Sequence, residues 1–153
     1  MKPKLLVSAC LLGTPCRYDG KSKKNEAVCA LAERFELIPV CPEVLGGLPT
    51  PRTPSERRGA CVVRKDGRDV TAEYRRGAEC ALETAQREGV LAAVLKERSP
   101  SCGSGEIYDG TFTGALTAGD GVTAELLKAN GITVYGESEQ SLTEFLCSVS
   151  HST

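Results

Sequence analysis

Three apolar runs in this chain each end at a cysteine or lead into a short polar loop that carries one. That repetition constrains the fold more than any other feature of the sequence. Leu5-Leu6-Val7 passes through Ser8-Ala9 to Cys10. Leu37-Ile38-Pro39-Val40 runs directly into Cys41-Pro42-Glu43. Val90 to Leu95 breaks into a polar loop of Ser, Pro and Gly that holds Ser101 and Cys102. Short apolar runs bounded by turn residues read as buried strands. Between the first two lies a helical face. Asn25 can cap it, and Val28, Leu31, Ala32 and Phe35 follow at i, i+3, i+4 and i+7 in a helix to about Arg34. Strand, helix and strand in succession make a βαβ unit with parallel strands. Parallel strands present their C-terminal ends on one edge of the sheet, where open α/β sheets bind ligands. Cys10, Cys41 and Cys102 are therefore expected to meet, although about 30 and about 60 residues separate them.

The remaining segments fit the same architecture. Residues 46–54, Gly-Gly-Leu-Pro-Thr-Pro-Arg-Thr-Pro, exclude regular helix and central strand and predict a stiff extended loop beside Cys41, presenting Arg52. Cys61 to Val70 reads as a hairpin turned at Asp66-Gly67. Thr71 to Glu88 is the longest expected helix, with Tyr74, Ala78, Ala81, Leu82 and Ala85 as its apolar stripe and Gly89 as its stop. A second hairpin is expected over Ile107–Thr113, turned at Asp109-Gly110. A helix over residues 120–130, a strand over 132–135 and a terminal helix opened by a Ser141-x-x-Glu144 capping box complete the chain. The expected fold is a three-layer, Rossmann-like α/β domain with a mainly parallel sheet and small hairpin insertions. It forms one domain over residues 1–147, with a frayed tail at 148–153 that contains His151.

Composition narrows the chemistry. Eight cysteines in 153 residues are many. The only apolar segment near the N-terminus, Leu5-Leu6-Val7, is shorter than a signal peptide requires, so a cytoplasmic location is expected and metal or thiol chemistry is favoured over a disulfide framework. A net charge of −1 and aromatic residues at 5% give no reason to expect a nucleic-acid polymer or a membrane as partner. The expected partner is a small molecule, and the chain a monomer or homodimer. Scattered cysteines do not match the local pairs of most structural zinc sites. Thiolates select zinc, copper(I) or iron–sulfur clusters. A [4Fe–4S] cluster normally takes four cysteines, so three would leave one thiophilic, Lewis-acidic iron open to a substrate sulfur. Glu43, two residues after Cys41, is placed to move protons, and Ser101 offers a hydroxyl beside Cys102. Each also has a plain structural reading, as a loop carboxylate and a turn residue. Tyr18, Asp19 and Arg52 are candidate substrate contacts or, equally, turn and surface residues. Cys16 is either a packed thiol or a fourth ligand, and four ligands would suggest electron transfer. Cys29, Cys61, Cys80 and Cys147 read as structural. A thiol–disulfide oxidoreductase is disfavoured because no C-x-x-C occurs.

Several stretches together resemble the bacterial thiouracil desulfidase family. They are Val7-Ser8-Ala9-Cys10-Leu11-Leu12-Gly13, Cys16-Arg17-Tyr18-Asp19-Gly20, the block Cys41-Pro42-Glu43 through Pro51-Arg52, and Ser99-Pro100-Ser101-Cys102-Gly103. Tyr108-Asp109-Gly110-Thr111-Phe112 and Gly121-Val122-Thr123-Ala124 extend the likeness, which covers about residues 4–137. The resemblance implies a [4Fe–4S] cluster on Cys10, Cys41 and Cys102. Its free iron would take the sulfur of a thiolated nucleobase or nucleotide such as 2-thiouracil, and water would replace that sulfur to give uracil and hydrosulfide. It also implies Glu43 as the proton-transfer residue and Ser101 as a second catalytic group. Larger relatives carry an additional C-terminal domain. The alternative is a four-cysteine iron–sulfur or zinc-binding module without desulfidase activity.

Overall fold

The computed structural model describes residues 2–150. Strand β1 (Lys4–Ser8) lies between β2 (Glu36–Val40) and the strand formed by Ala92–Val94, and all of these run parallel. The antiparallel hairpin insertions precede and follow that third strand. β3 (Ser55–Arg58) pairs with β4 (Cys61–Arg64), the Ala92–Val94 strand is β5, and β6 (Glu106–Tyr108) pairs with β7 (Leu116–Ala118). β8 (Val134–Tyr135) then joins the outer side of β5, also parallel, so the central sheet has the order β2-β1-β5-β8. In this order the connections diverge between β1 and β5, and a crevice opens beyond the C-terminal ends of the strands at such a switch point.

Alternation along the strands sorts the core into two layers. Leu5, Val7, Ala92 and Val94 face one side, packing with Val28, Leu31, Phe35, Leu142 and Phe145. Those partners come from helix α1 (Glu26–Ala30), its 3-10 continuation Leu31–Glu33, and the C-terminal helix Glu139–Ser150. Leu6, Ala93 and Leu95 face the other side, against Ala85, Ala124 and Leu127. These belong to a long helix, Thr71–Glu88, and to Val122–Ala129. A short helix, Pro42–Leu45, directly follows β2. In chain order the helices after α1 are α2 (Pro42–Leu45), α3 (Thr71–Glu88), α4 (Val122–Ala129) and α5 (Glu139–Ser150). Among the described residues no helix is long and apolar enough to cross a membrane.

Local chemistry sets most of the boundaries. The Asn25 side chain accepts from Val28 N at 3.0 Å and starts α1, which tightens to 3-10 geometry before reaching Arg34. Gly89 takes the left-handed conformation that closes α3. The first hairpin carries a strand beyond the sequence expectation, β3, and its main pairing is there. It turns at Gly59-Ala60, pairing Ser55 with Arg64, while Asp66-Gly67 closes a smaller turn whose only ladder contact is the Val63–Asp69 bridge. The second hairpin is wider than expected, because loop 109–115 is held from outside. Glu56 Oε1 accepts from Gly110 N at 2.9 Å and Phe112 N at 3.1 Å, and Arg58 Nε donates to Gly110 O at 2.7 Å. The terminal helix begins before Ser141, with Ser138 Oγ accepting from Ser141 N, and it continues through Ser150 instead of fraying at Ser148. His151 lies outside the described residues.

One contact governs the position of α2. Gly46 lies against the Glu73 carbonyl, and Gly77 lies against the Pro42 carbonyl, with no room for a Cβ at either glycine. The backbones of α2 and α3 therefore touch, which puts Glu43 beside Tyr74.

Candidate active site

A cavity of about 540 Å³ opens at the C-terminal edge of the central sheet, lined by Cys10, Cys16, Cys41, Glu43, Tyr74 and Cys102 among others. Cys10 sits in a 3-10 turn, Ala9–Leu12, that follows β1 without a break. Cys41 is the residue before α2, and Cys102 lies in the loop after β5. That loop is wound tightly. Ser99 Oγ accepts from the backbone N–H groups of Ser101 and Cys102, each at 3.1 Å, and Ser99 O accepts from Gly103 N at 2.9 Å.

The thiols are buried or half-buried and act on one another. The Cys16 thiol faces those of Cys10 and Cys41. The Cys10 contact, as the larger effect, raises Cys16 above the ordinary thiol range. Cys41 is raised strongly, first by Cys16 and then by burial, and its Sγ also points at Cys16 O, 3.8 Å away. Burial pushes Cys102 up to about 12, against the hydroxyls of Ser8 and Ser101, which pull it down. Thiols bind metal as thiolates, so a metal group held here would displace their protons. Among the described residues no three His, Cys, Asp or Glu side chains gather tightly enough for a single metal ion. The thiols instead line one cavity, and cysteine sulfurs are the donors that iron–sulfur clusters take.

Glu43 occupies the first turn of α2 and faces the cavity from beside Cys41. Its Oε2 accepts from Tyr74 Oη at 2.9 Å and from Arg52 Nε and Nη2 at 3.1 and 3.0 Å. Tyr74 is almost wholly buried. Its phenol is held far above the usual range by that burial and then by the Glu43 charge.

Arg52, a candidate substrate contact on sequence, uses its guanidinium inside the protein. Besides the two bonds to Glu43 it donates to Cys16 O, Pro49 O and Thr50 Oγ1, each at 3.1 Å. Tyr18 stands at the cavity wall with its ring under the Arg17 guanidinium, 5.7 Å away. Asp19 shapes the adjoining turn by accepting from Lys21 N at 3.0 Å, and it is not among the residues that line the cavity. Ser101 is fully buried behind Cys102. Its hydroxyl bonds Thr123 Oγ1 at 2.8 Å and also reaches the Cys102 thiol.

A family model described as 2-thiouracil desulfurase matches residues 5–139. The chain belongs to the 2-thiouracil desulfurase family. Among solved structures, the [4Fe-4S]-dependent thiouracil desulfidase TudS is similar to it with a TM-score of 0.90 and 51% identity. That match covers 97% of this chain and 99% of TudS. The uncharacterized protein YbbK of Bacillus subtilis (strain 168) is 44% identical over 145 residues, 88% of this chain and 96% of YbbK.

For this 2-thiouracil desulfurase family member, sequence reasoning missed two contributors to the site. Tyr74 reads as part of an apolar stripe, and only its polar tip on a face otherwise built from alanine and leucine signals a partner. Ser8 reads as the end of a strand. Its Oγ accepts from Lys96 N at 2.8 Å, tying β1 to the start of the Cys102 loop and leaving its proton free for the Cys102 sulfur.

Proposed function

We propose that this chain removes sulfur from thiolated nucleobases of the 2-thiouracil type, replacing C–S by C–O without net redox change. The products are uracil and hydrosulfide. The observation that carries this reading is the meeting of Cys10, Cys41 and Cys102 from three parallel strand ends around one cavity, with the Glu43 carboxylate beside them. These three thiolates would hold a [4Fe–4S] cluster. When bound, it would supply a thiophilic Lewis-acid iron that no protein atom ligates. The similarity to TudS, a [4Fe-4S]-dependent thiouracil desulfidase, supports the assignment.

The protein's own groups do the rest. Glu43 takes a proton from the attacking water and delivers it toward the departing sulfur. Ser101, the second catalytic group in this reading, donates to the Cys102 sulfur and is itself held by Thr123. Tyr18 is the proposed contact for the base at the rim. Asp19 shapes the turn that carries Tyr18, and Arg52 braces the wall.

A second reading follows from the contacts of Cys16 with both Cys10 and Cys41, in which Cys16 supplies a fourth ligand and the site transfers electrons. One experiment separates the two. Anaerobically purified protein should contain iron and sulfide and convert 2-thiouracil to uracil with release of hydrosulfide. Single alanine variants of Cys10, Cys41 and Cys102 should lose the iron, whereas Cys16→Ala should keep it. Full iron content in Cys102→Ala, or iron without turnover in the parent protein, overturns the proposal.

A further inference from the structure

We infer that Tyr74 and Arg52 form a clamp that fixes one oxygen of Glu43 and leaves the other as the proton-transfer atom. The inference rests on the proposed role of Glu43 and adds two positioning residues to it. Three protein donors converge on Oε2: Tyr74 Oη at 2.9 Å, Arg52 Nη2 at 3.0 Å and Arg52 Nε at 3.1 Å. No protein donor reaches Oε1 among the described residues. A carboxylate held by one oxygen keeps a fixed plane, so the unclaimed oxygen has a defined direction at the cavity. Both side chains of the ion pair are well covered, at 7% exposed for Arg52 and 17% for Glu43, so water competes little with the clamp.

The clamp is also anchored away from Glu43. A guanidinium has five N–H donors in a rigid fork, and here every one is matched. Two go to Glu43 and the others to Cys16 O, Pro49 O and Thr50 Oγ1. Arg52 thereby joins the loop bearing Cys16, the Pro-rich segment and α2, with no N–H left for a substrate. Lysine cannot reproduce this arrangement, because an ammonium offers three donors from one point. Tyr74 anchors the same oxygen from α3, against which α2 is pressed at Gly46 and Gly77. The arrangement also accounts for a phenol buried among apolar side chains.

Tyr74→Phe removes one hydroxyl and keeps the ring that packs under the first hairpin with Val62 and Val70. In anaerobically purified protein it should keep the parent iron and sulfide content and a KM for 2-thiouracil within about twofold. Its kcat should fall about tenfold, the size expected for losing one hydrogen bond to a charged group. Arg52→Lys should lower kcat further. Independently of turnover, the melting temperatures of Tyr74→Phe, Glu43→Ala and the double variant should be non-additive, with Tyr74→Phe costing less once Glu43 is gone. Unchanged kcat in iron-replete Tyr74→Phe overturns the clamp. So do additive melting temperatures, or loss of iron from Tyr74→Phe, which would make the phenol part of the cysteine pocket itself. If the parent protein fails to act on 2-thiouracil, the proposed function falls, and the melting-temperature cycle still decides the clamp.

Discussion

Replacing Gly77 by alanine should destabilise this protein, although the same change inside a helix ordinarily helps. In an unobstructed helix interior alanine is favoured over glycine by about 0.8–1 kcal/mol. Here the added methyl would meet the Pro42 carbonyl, a backbone group of α2 that cannot rotate away. Restoring ordinary contact requires α2 to move off α3 by roughly an ångström or more. Overpacking of this kind costs about 1–3 kcal/mol. The net expectation is a loss of up to about 2 kcal/mol, read as a fall of up to about 8 °C in melting temperature for a chain of this size. The displacement also reaches the cavity, since Pro42 lies between Cys41 and Glu43. The 2.9 Å bond from Tyr74 to Glu43 would lengthen past hydrogen-bonding distance. Thermal unfolding followed by circular dichroism, alongside iron content and turnover, measures both effects. A rise in melting temperature with unimpaired turnover would refute the argument that α2 is seated by backbone contact.

Glu43→Gln keeps an acceptor for Tyr74 and Arg52 but cannot carry a proton, so iron content should persist while kcat drops about 10²–10⁴-fold. Persisting turnover would remove Glu43 from the mechanism. Asp69 accepts from Thr71 N at 2.8 Å at the start of α3, and the Thr71 side chain and N–H hold its carboxyl below the usual value of 3.8. Its contribution is thus fully present above that value and is lost as pH falls through the lowered one. The melting-temperature difference between the parent and Asp69→Asn should shrink below about pH 4, and a gap that widens there would contradict the sign.

The parts of the fold legible in advance were those whose signal is local. Each apolar run at Leu5, Leu37 and Val90 is long enough to be read as a strand, and parallel pairing then follows from connectivity alone. That is why the meeting of Cys10, Cys41 and Cys102 could be anticipated while the strand order could not. The turn at Asp66-Gly67 was legible because it is a strong turn signal, whereas the β3–β4 pairing turned at Gly59-Ala60 carries a weaker one and was missed. Its true register depends on distant partners, including the grip of Glu56 and Arg58 on the Gly110 loop. Helix α2 spans only Pro42–Leu45, too few residues to show periodicity. Tyr74 was assigned to the apolar stripe because it does bury its ring there; the role of its hydroxyl depends on a segment about thirty residues earlier.

The placement of the sulfurs on successive strands of one sheet has a consequence for assembly. No contiguous peptide of this protein contains the site, and a nascent chain that stops at Leu95 has only the first two of the three thiols. The pocket comes into being only when β5 slots in against β1, so all three thiols stand together only in the closed sheet.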